Sequence, residues 1–418
     1  MMKLFLTLCI IISVSCMKVS LKSSFMKKAL ITVATSVSIL SSSPIFTPPP
    51  VLADARLNAP TAAGTRVNSD PASLLRYGLP FNNKDVRDIQ GSIESIKSNL
   101  KTRRPGFAQA DLANAVKLLK NNGAKIIKAT PDKNKVAAQA SIDKLIELST
   151  ALDTAINAQI SAGSGSLQER SGLDGAFLAQ DAIAQELTVL AECLVPSGFI
   201  RKIPEEYAEL PALQGRAQIQ FTIVKPDGSK FDVDGKLLDQ VDLTMIIDGY
   251  NAPLTGGNFV DLVDKGFYNG KKITRSDGFV VQTGDANPEG DVHGYIPSGK
   301  SEERKVPLEI ALKGDKELLY GSTSEDDNRG YAAAVLPFQA YGALGMARSE
   351  FEADSASSQF FWLLFESDLT PAGKNMLDGR YSCFGYTVTN PDQLKDVKEG
   401  DVIKKAKIVS GLDKLVKS

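Results

Sequence analysis

The chain has 418 residues, enough for two or three domains, and its 43% hydrophobic and 23% charged content is that of an ordinary globular protein. A formal net charge of −1, with no strongly basic block beyond the N-terminus, argues against a nucleic-acid binder.

The first 55 residues differ from the rest. Leu4 to Val14 is an apolar run behind Lys3, too short to span a bilayer comfortably and typical of a signal-peptide core. A basic, hydroxyl-rich segment without acids follows, Met17 to Lys28, with the composition of a transit peptide. A second apolar run, Ala29 to Phe46, leads through Pro48-Pro-Pro50 to Ala53-Asp-Ala55, a small-residue pattern that reads as a processing site. The alternative is a pair of membrane anchors, which the Ser, Thr and Pro in the second run disfavour. Two export signals in tandem imply two successive membrane crossings. Removal of residues 1–55 takes away five lysines and one aspartate and leaves a mildly acidic mature chain with no integral span. Cys9 and Cys16 leave with that segment; Cys193 and Cys383 fall in different expected domains, so no disulfide between them is expected.

After a lead from Arg56 to about Ser69 that is rich in small residues, helical periodicity begins beyond Asn83. Val86, Ile89, Ile93, Ile96 and Leu100 step by three and four along one face. Further stripes run through Leu112, Val116, Leu119 and Ile126, then Ile142, Leu145, Leu148, Leu152 and Ile156, then Phe177, Ile183, Leu187, Leu190 and Leu194. Four amphipathic segments with short connections predict an antiparallel helical bundle, placed at 56–200. It has no histidine and no Glu-x-x-His spacing, so its apolar stripes read as core and carry no ligand site.

A linker, 201–213, precedes a change of period. Ala217, Ile219, Phe221 and Ile223 alternate with polar residues, as in a half-buried strand. A second strand spans Val241 to Ile247, and the stretch Asn251 to Lys265 holds a short helix with Phe259, Leu262 and Val263 inward. Further strands are expected at Phe279–Gln282, Gly345–Ala347, Gln359–Leu364, Ser382–Val388 and Val402–Val409. Many short strands with few helices predict a closed antiparallel β-barrel with short capping helices over 214–418. The whole is an α+β, two-domain chain.

Conventional chemistry is hard to find. The one histidine, His293, lies in a loop reading, and without a second histidine or a cysteine cluster no zinc site is legible. No Gly-x-Ser-x-Gly elbow, phosphate loop or dinucleotide fingerprint occurs in the right setting, and no cofactor is expected. What remains is the run Ile273-Thr-Arg-Ser-Asp-Gly-Phe-Val-Val-Gln-Thr-Gly-Asp285. It reads as a strand at Phe279–Gln282, with Phe279 and Val281 on one face and Val280 and Gln282 on the other, and with Arg275 able to lie beside it. A cation beside an apolar floor suits a carbonyl next to an apolar ring.

That run resembles the active-site strand of the cyclophilins. Gly345-Met-Ala-Arg348, Ser357-Ser-Gln-Phe-Phe361 and Leu377-Asp-Gly-Arg-Tyr-Ser-Cys-Phe-Gly385 resemble the family's later segments, in the same order, so the likeness covers about 214 to 411. Asp70-Pro-Ala-Ser-Leu-Leu-Arg76, Pro204-Glu-Glu-Tyr207 and Asp248-Gly-Tyr-Asn-Ala-Pro253 are similar to the large thylakoid-lumen cyclophilins of plants, in which a helical bundle precedes the barrel. The resemblance implies prolyl cis-trans isomerisation of proline-containing polypeptide clients and a part in photosystem II assembly. With the leader, it implies the thylakoid lumen of a secondary plastid reached through the secretory route. It also implies roles. Arg275 would donate to the prolyl nitrogen and Gln282 would support it. Phe279, Met346, Gln359, Phe361, Met376, Leu377 and Tyr381 would form the proline site.

Such a reaction needs no nucleophile. The X–Pro bond has a rotational barrier of about 18–20 kcal/mol, and a donor that favours the pyramidal nitrogen of the twisted amide lowers it by differential binding. The chain departs from the pattern of active members at Thr274, Met376 and Tyr381, which replace His, Trp and His, and the turn after Arg275 is one residue shorter. These departures keep a second reading open: a non-catalytic scaffold or chaperone that binds proline loops, with the bundle in contact with the barrel and controlling access. The long segment Pro288 to Ala340 is expected to overlie the pocket.

Overall fold

A computed structural model describes residues 68–163, 165–291, 293–365 and 375–417. The expected targeting segment, 1–55, lies outside the described residues, as does nearly all of the lead.

Five helices come first: α1 (Pro71–Tyr77), α2 (Lys84–Lys101), α3 (Pro105–Ala129), α4 (Lys135–Ser161) and α5 (Leu167–Cys193). Their starts follow from local chemistry. Asp70, Asn83 and Ser166 each cap the backbone N–H three residues on, at 2.9, 3.1 and 3.0 Å, and Pro71 and Pro105 stand where a missing N–H costs nothing. Consecutive long helices pack together and α5 returns against α2, closing the bundle. The stripes legible in the sequence supply its core: Ile89, Ile93, Leu112, Leu119, Leu145, Leu152, Ile183 and Leu187 are all buried.

Helix α1 had no periodic signal, being only two turns long. Its buried Arg76 fixes it to the bundle, with Nε on Glu94 Oε1 at 3.2 Å and a terminal nitrogen on Ala184 O and Thr188 Oγ1, both at 3.1 Å. Pairing and full hydrogen bonding are what make a buried guanidinium tolerable.

The second half is one eight-stranded antiparallel sheet: β1 (Arg216–Val224), β2 (Val241–Asp248), β3 (Ile273–Ser276), β4 (Val280–Thr283), β5 (Ala343–Met346), β6 (Phe360–Leu363), β7 (Cys383–Thr389) and β8 (Val402–Ser410), in the order β8-β1-β2-β7-β5-β6-β4-β3. Alternation places Ile219, Phe221, Leu243, Met245, Leu344, Phe360, Trp362 and Phe384 in one interior cluster. Helix α6 (Pro253–Asp264) adds Leu254, Phe259, Leu262 and Val263 to it. The buried carboxylate of Glu309 accepts the amides of Leu254 and Thr255 at the start of α6, at 3.1 and 2.9 Å, and the Tyr320 hydroxyl at 2.9 Å.

The expectation of a closed barrel is corrected. The curled sheet has two ends, β3 and β8, with no ladder between them. They are tacked together at the single bridge Lys272–Val402 and by hydrogen bonds such as Ile273 N to Asp401 O at 2.8 Å. The reason is length: β3 keeps only four residues before the turn at Asp277 draws the chain back into β4. Three further pairings, among them Glu309–Ile310 with Leu319–Tyr320, are too short to leave a period in the sequence.

Bundle and sheet share one compact unit. At their seam, Arg216 pairs with Asp248, Nε at 3.0 Å and a terminal nitrogen at 2.6 Å, and donates to Leu75 O at 2.5 Å. Asn251 Nδ2 donates to Gly78 O at 2.7 Å. Leu74 and Leu75 lie on the outer face of the sheet with Tyr386, Phe338 and Phe361.

Candidate proline site

Strands β3 and β4 pair antiparallel with Arg275 opposite Gln282 and Ser276 opposite Val281. The turn between them is built by Asp277. Its carboxylate accepts the amides of Phe279 and Val280, each at 3.0 Å, and Gly278 supplies the left-handed step at φ +84. The same carboxylate takes the Nε of Arg275 at 2.7 Å and pairs with a terminal nitrogen of that guanidinium. Burial pushes the Asp277 pKa up, but the amides of Val280 and Phe279, and then Arg275, outweigh it and hold the carboxyl below its usual value. Gln282 donates to Gln359 Oε1 at 2.9 Å.

Across the sheet, Phe361 is the partner of Gln282 on β4 and of Gly345 on β5. Its ring lies flat over Gly345: a β-carbon there would stand 2.2 Å from the ring's Cζ, so only glycine fits. Phe338 stacks on Phe361 at 6.0 Å and 18°, and Tyr381 meets it edge-on at 5.8 Å. Phe361 is left 5% exposed. Phe338 is clamped by its own backbone, its N–H on Asp378 Oδ1 at 2.7 Å and its carbonyl taking Asn375 Nδ2 at 2.8 Å. Ser324 N donates to Gly379 O at 2.8 Å and Arg380 pairs with Glu325 at 2.7 Å, so the segment Pro288–Ala340 is tied to the turn before Tyr381.

The family "Cyclophilin type peptidyl-prolyl cis-trans isomerase/CLD" matches residues 216–416, and the family "Peptidyl-prolyl cis-trans isomerase CYP38-like, PsbQ-like domain" matches 70–164. The chloroplastic peptidyl-prolyl cis-trans isomerase CYP38 of Arabidopsis thaliana is 38% identical over 401 residues, covering 93% of this chain and 86% of that protein. The chain belongs to the cyclophilin-type peptidyl-prolyl isomerases. A Synechocystis protein named for a thylakoid lumen peptidyl-prolyl cis-trans isomerase is 37% identical, over 86% of this chain and 88% of its own. The chloroplastic CYP37 of Arabidopsis thaliana is 33% identical, over 84% and 72%.

In this cyclophilin the sheet brings Arg275, Gln282 and Phe361 onto adjoining strands, with Gln359 just before β6, and Leu377 and Tyr381 pack in the outer cluster with Phe361. Three residues stand elsewhere than expected. Met346 points into the barrel opposite Phe360 and belongs to the interior cluster, because the outward position of its strand falls to Gly345. Phe279 does not share Val281's face. Strand β4 starts one residue later, and Phe279 projects from the turn, 60% exposed, against Phe365 at 6.0 Å. Met376 is 81% exposed and packs in none of the apolar clusters.

Sequence reasoning missed Val280, Ala347, Phe338 and Asp277. Counting by two from Gln282 and from Gly345 would have found the first pair, both of which join the outer cluster. Phe338 gave no signal, since it sits more than twenty residues from the ring it covers. Thr274 uses its hydroxyl locally, on Gln282 O at 3.2 Å, and His293 pairs with Asp285 at 2.9 Å. Among the described residues no cluster of His, Cys, Asp and Glu could hold a metal, and no helix is long and apolar enough to cross a membrane.

Proposed function

We propose that the chain catalyses cis-trans isomerisation of X–Pro bonds in proline-containing polypeptides of the thylakoid lumen, with photosystem II subunits as clients during assembly. The observation that carries this is the register of Arg275, Gln282 and Phe361 on three adjoining strands, a donor and an amide beside an apolar ring. Arg275 would donate to the prolyl nitrogen, Gln282 and Gln359 would hold the substrate backbone, and Phe361, Leu377 and Tyr381 would face the ring. The tandem apolar runs before Ala55 support entry through the secretory route of a secondary plastid. The position of the mature N-terminus is the check on that address.

Isomerisation of a short X–Pro peptide by the chain lacking residues 1–55 tests the activity. Arg275→Ala should lower kcat/KM roughly ten- to a hundredfold, the worth of one charged hydrogen bond. A second reading is favoured by the burial of Phe361 beneath Phe338 beside α1: a lumenal scaffold or chaperone that binds proline loops, with the bundle governing access to the barrel. Peptide binding without acceleration in either protein would select it.

A further inference from the structure

The donor proposed for catalysis is not idle in this structure. A guanidinium has five N–H donors in a fixed fork. Two of those on Arg275, the Nε and one terminal nitrogen, are spent on a single oxygen of Asp277, two residues along the chain. Asp277 is itself immobilised, because its other oxygen is the acceptor around which the Phe279 and Val280 amides turn. Gln282, the residue opposite Arg275, donates its side-chain N–H to Gln359 Oε1 at 2.9 Å, away from the guanidinium. The carboxylate therefore both anchors Arg275 over the turn and neutralises the charge that a twisted prolyl amide would recruit. The shortened turn produces this arrangement: Asp277 is both its first residue and its amide acceptor.

Building on the isomerase reading, we propose that Asp277 is a positioning residue that keeps Arg275 in a resting ion pair and thereby restrains its use on a bound proline. Binding of a client that donates to the Asp277 carboxylate, a backbone amide or a lysine, would free the guanidinium. The site then responds to the chemistry of the flanking peptide as well as to proline.

Asp277→Asn separates the two duties of the side chain. The amide oxygen still accepts from Phe279 and Val280, while the charge facing Arg275 is gone. With the chain lacking residues 1–55 and a short X–Pro peptide, Asp277→Asn should raise kcat about two- to fivefold with little change in KM, the scale expected for an exposed ion pair. Raising salt from about 0.01 to 0.15 M shortens the screening length from roughly 30 to 8 Å, so the wild-type rate should climb and that of Asp277→Asn should stay flat. The gain should vanish when Arg275→Ala is added. An active wild type with no gain in Asp277→Asn, or a gain that survives Arg275→Ala, overturns the role of Asp277 and leaves the isomerase reading standing. Inactivity of every variant, Asp277→Asn included, overturns both.

Discussion

The two faces of the same strands make the sharpest contrast in the molecule. Inside the sheet, Leu344, Met346, Phe360 and Trp362 pack by simple alternation against Phe221 and Phe259. Outside, one residue over, Phe361 shares a cluster with pieces from far apart in the chain: Leu74 and Leu75 of α1, Leu336 and Phe338 of the long segment, and Leu377 and Tyr381. The inner face is built by strands and one helix from one half of the chain and serves stability. The outer face is assembled across the chain, and the proposed proline site lies on it. A site made this way can be adjusted by loops without disturbing the barrel that supports it.

The largest effect should come from cutting the outer assembly at its root. Arg216→Met leaves Asp248 buried without its cation and strips Leu75 O of its donor, and it should cost about 3–5 kcal/mol in chemical denaturation. The amides of α1 should lose hydrogen-exchange protection first; equal loss across the bundle would contradict the separate status of α1.

Next is Gly345→Ser. The new β-carbon must displace the Phe361 ring, at about 1–3 kcal/mol, and it should expose the ring to solvent while the interior Trp362 emission stays put. A shifted Trp362 spectrum would show that the two faces are coupled.

The smallest concerns Glu309, which serves α6 and thus the interior. Burial raises its pKa above the ordinary value, with the amides of Thr255 and Leu254 and the Tyr320 hydroxyl working against that rise. A raised carboxyl means that the folded state holds its proton more tightly. Its favourable share is present in full below the unfolded pKa and declines as pH rises through the higher folded value. The stability difference between wild type and Glu309→Gln should therefore move in favour of the variant as pH climbs from about 4 to 7. A difference that is flat with pH would mean that folding leaves the Glu309 pKa where it stands in the unfolded chain.

The contrast also explains what could be read in advance. Helical stripes and strand alternation are local, so Ile89, Leu145, Ile219 and Phe360 reveal their burial within a window of a few residues. The motif order around Arg275, Gln359, Phe361 and Leu377 was legible for the same reason. Met346 was misplaced because a motif names residues without saying which face each one takes. Phe338 and α1 stayed hidden because their contacts with Phe361 and Arg216 close long loops of chain, which leave no period. The open end of the sheet depended on where one four-residue strand stops.

The C-terminus of α1 has one more consequence. A helix end leaves its last carbonyls without helical partners, and here two of them, with the two carbonyls of Gly78 and Leu79 just beyond, are met by side chains from two different parts of the chain. Arg87 of α2 takes Arg76 O at 2.8 Å and Leu79 O at 3.1 Å, while Arg216 and Asn251 of the sheet domain take Leu75 O and Gly78 O. The grip on these main-chain atoms adds to what the side chains of Leu74, Leu75 and Arg76 contribute. The helix works as a rivet: it cannot lift from one part without stranding carbonyls that the other part holds, so bundle and barrel resist shear together.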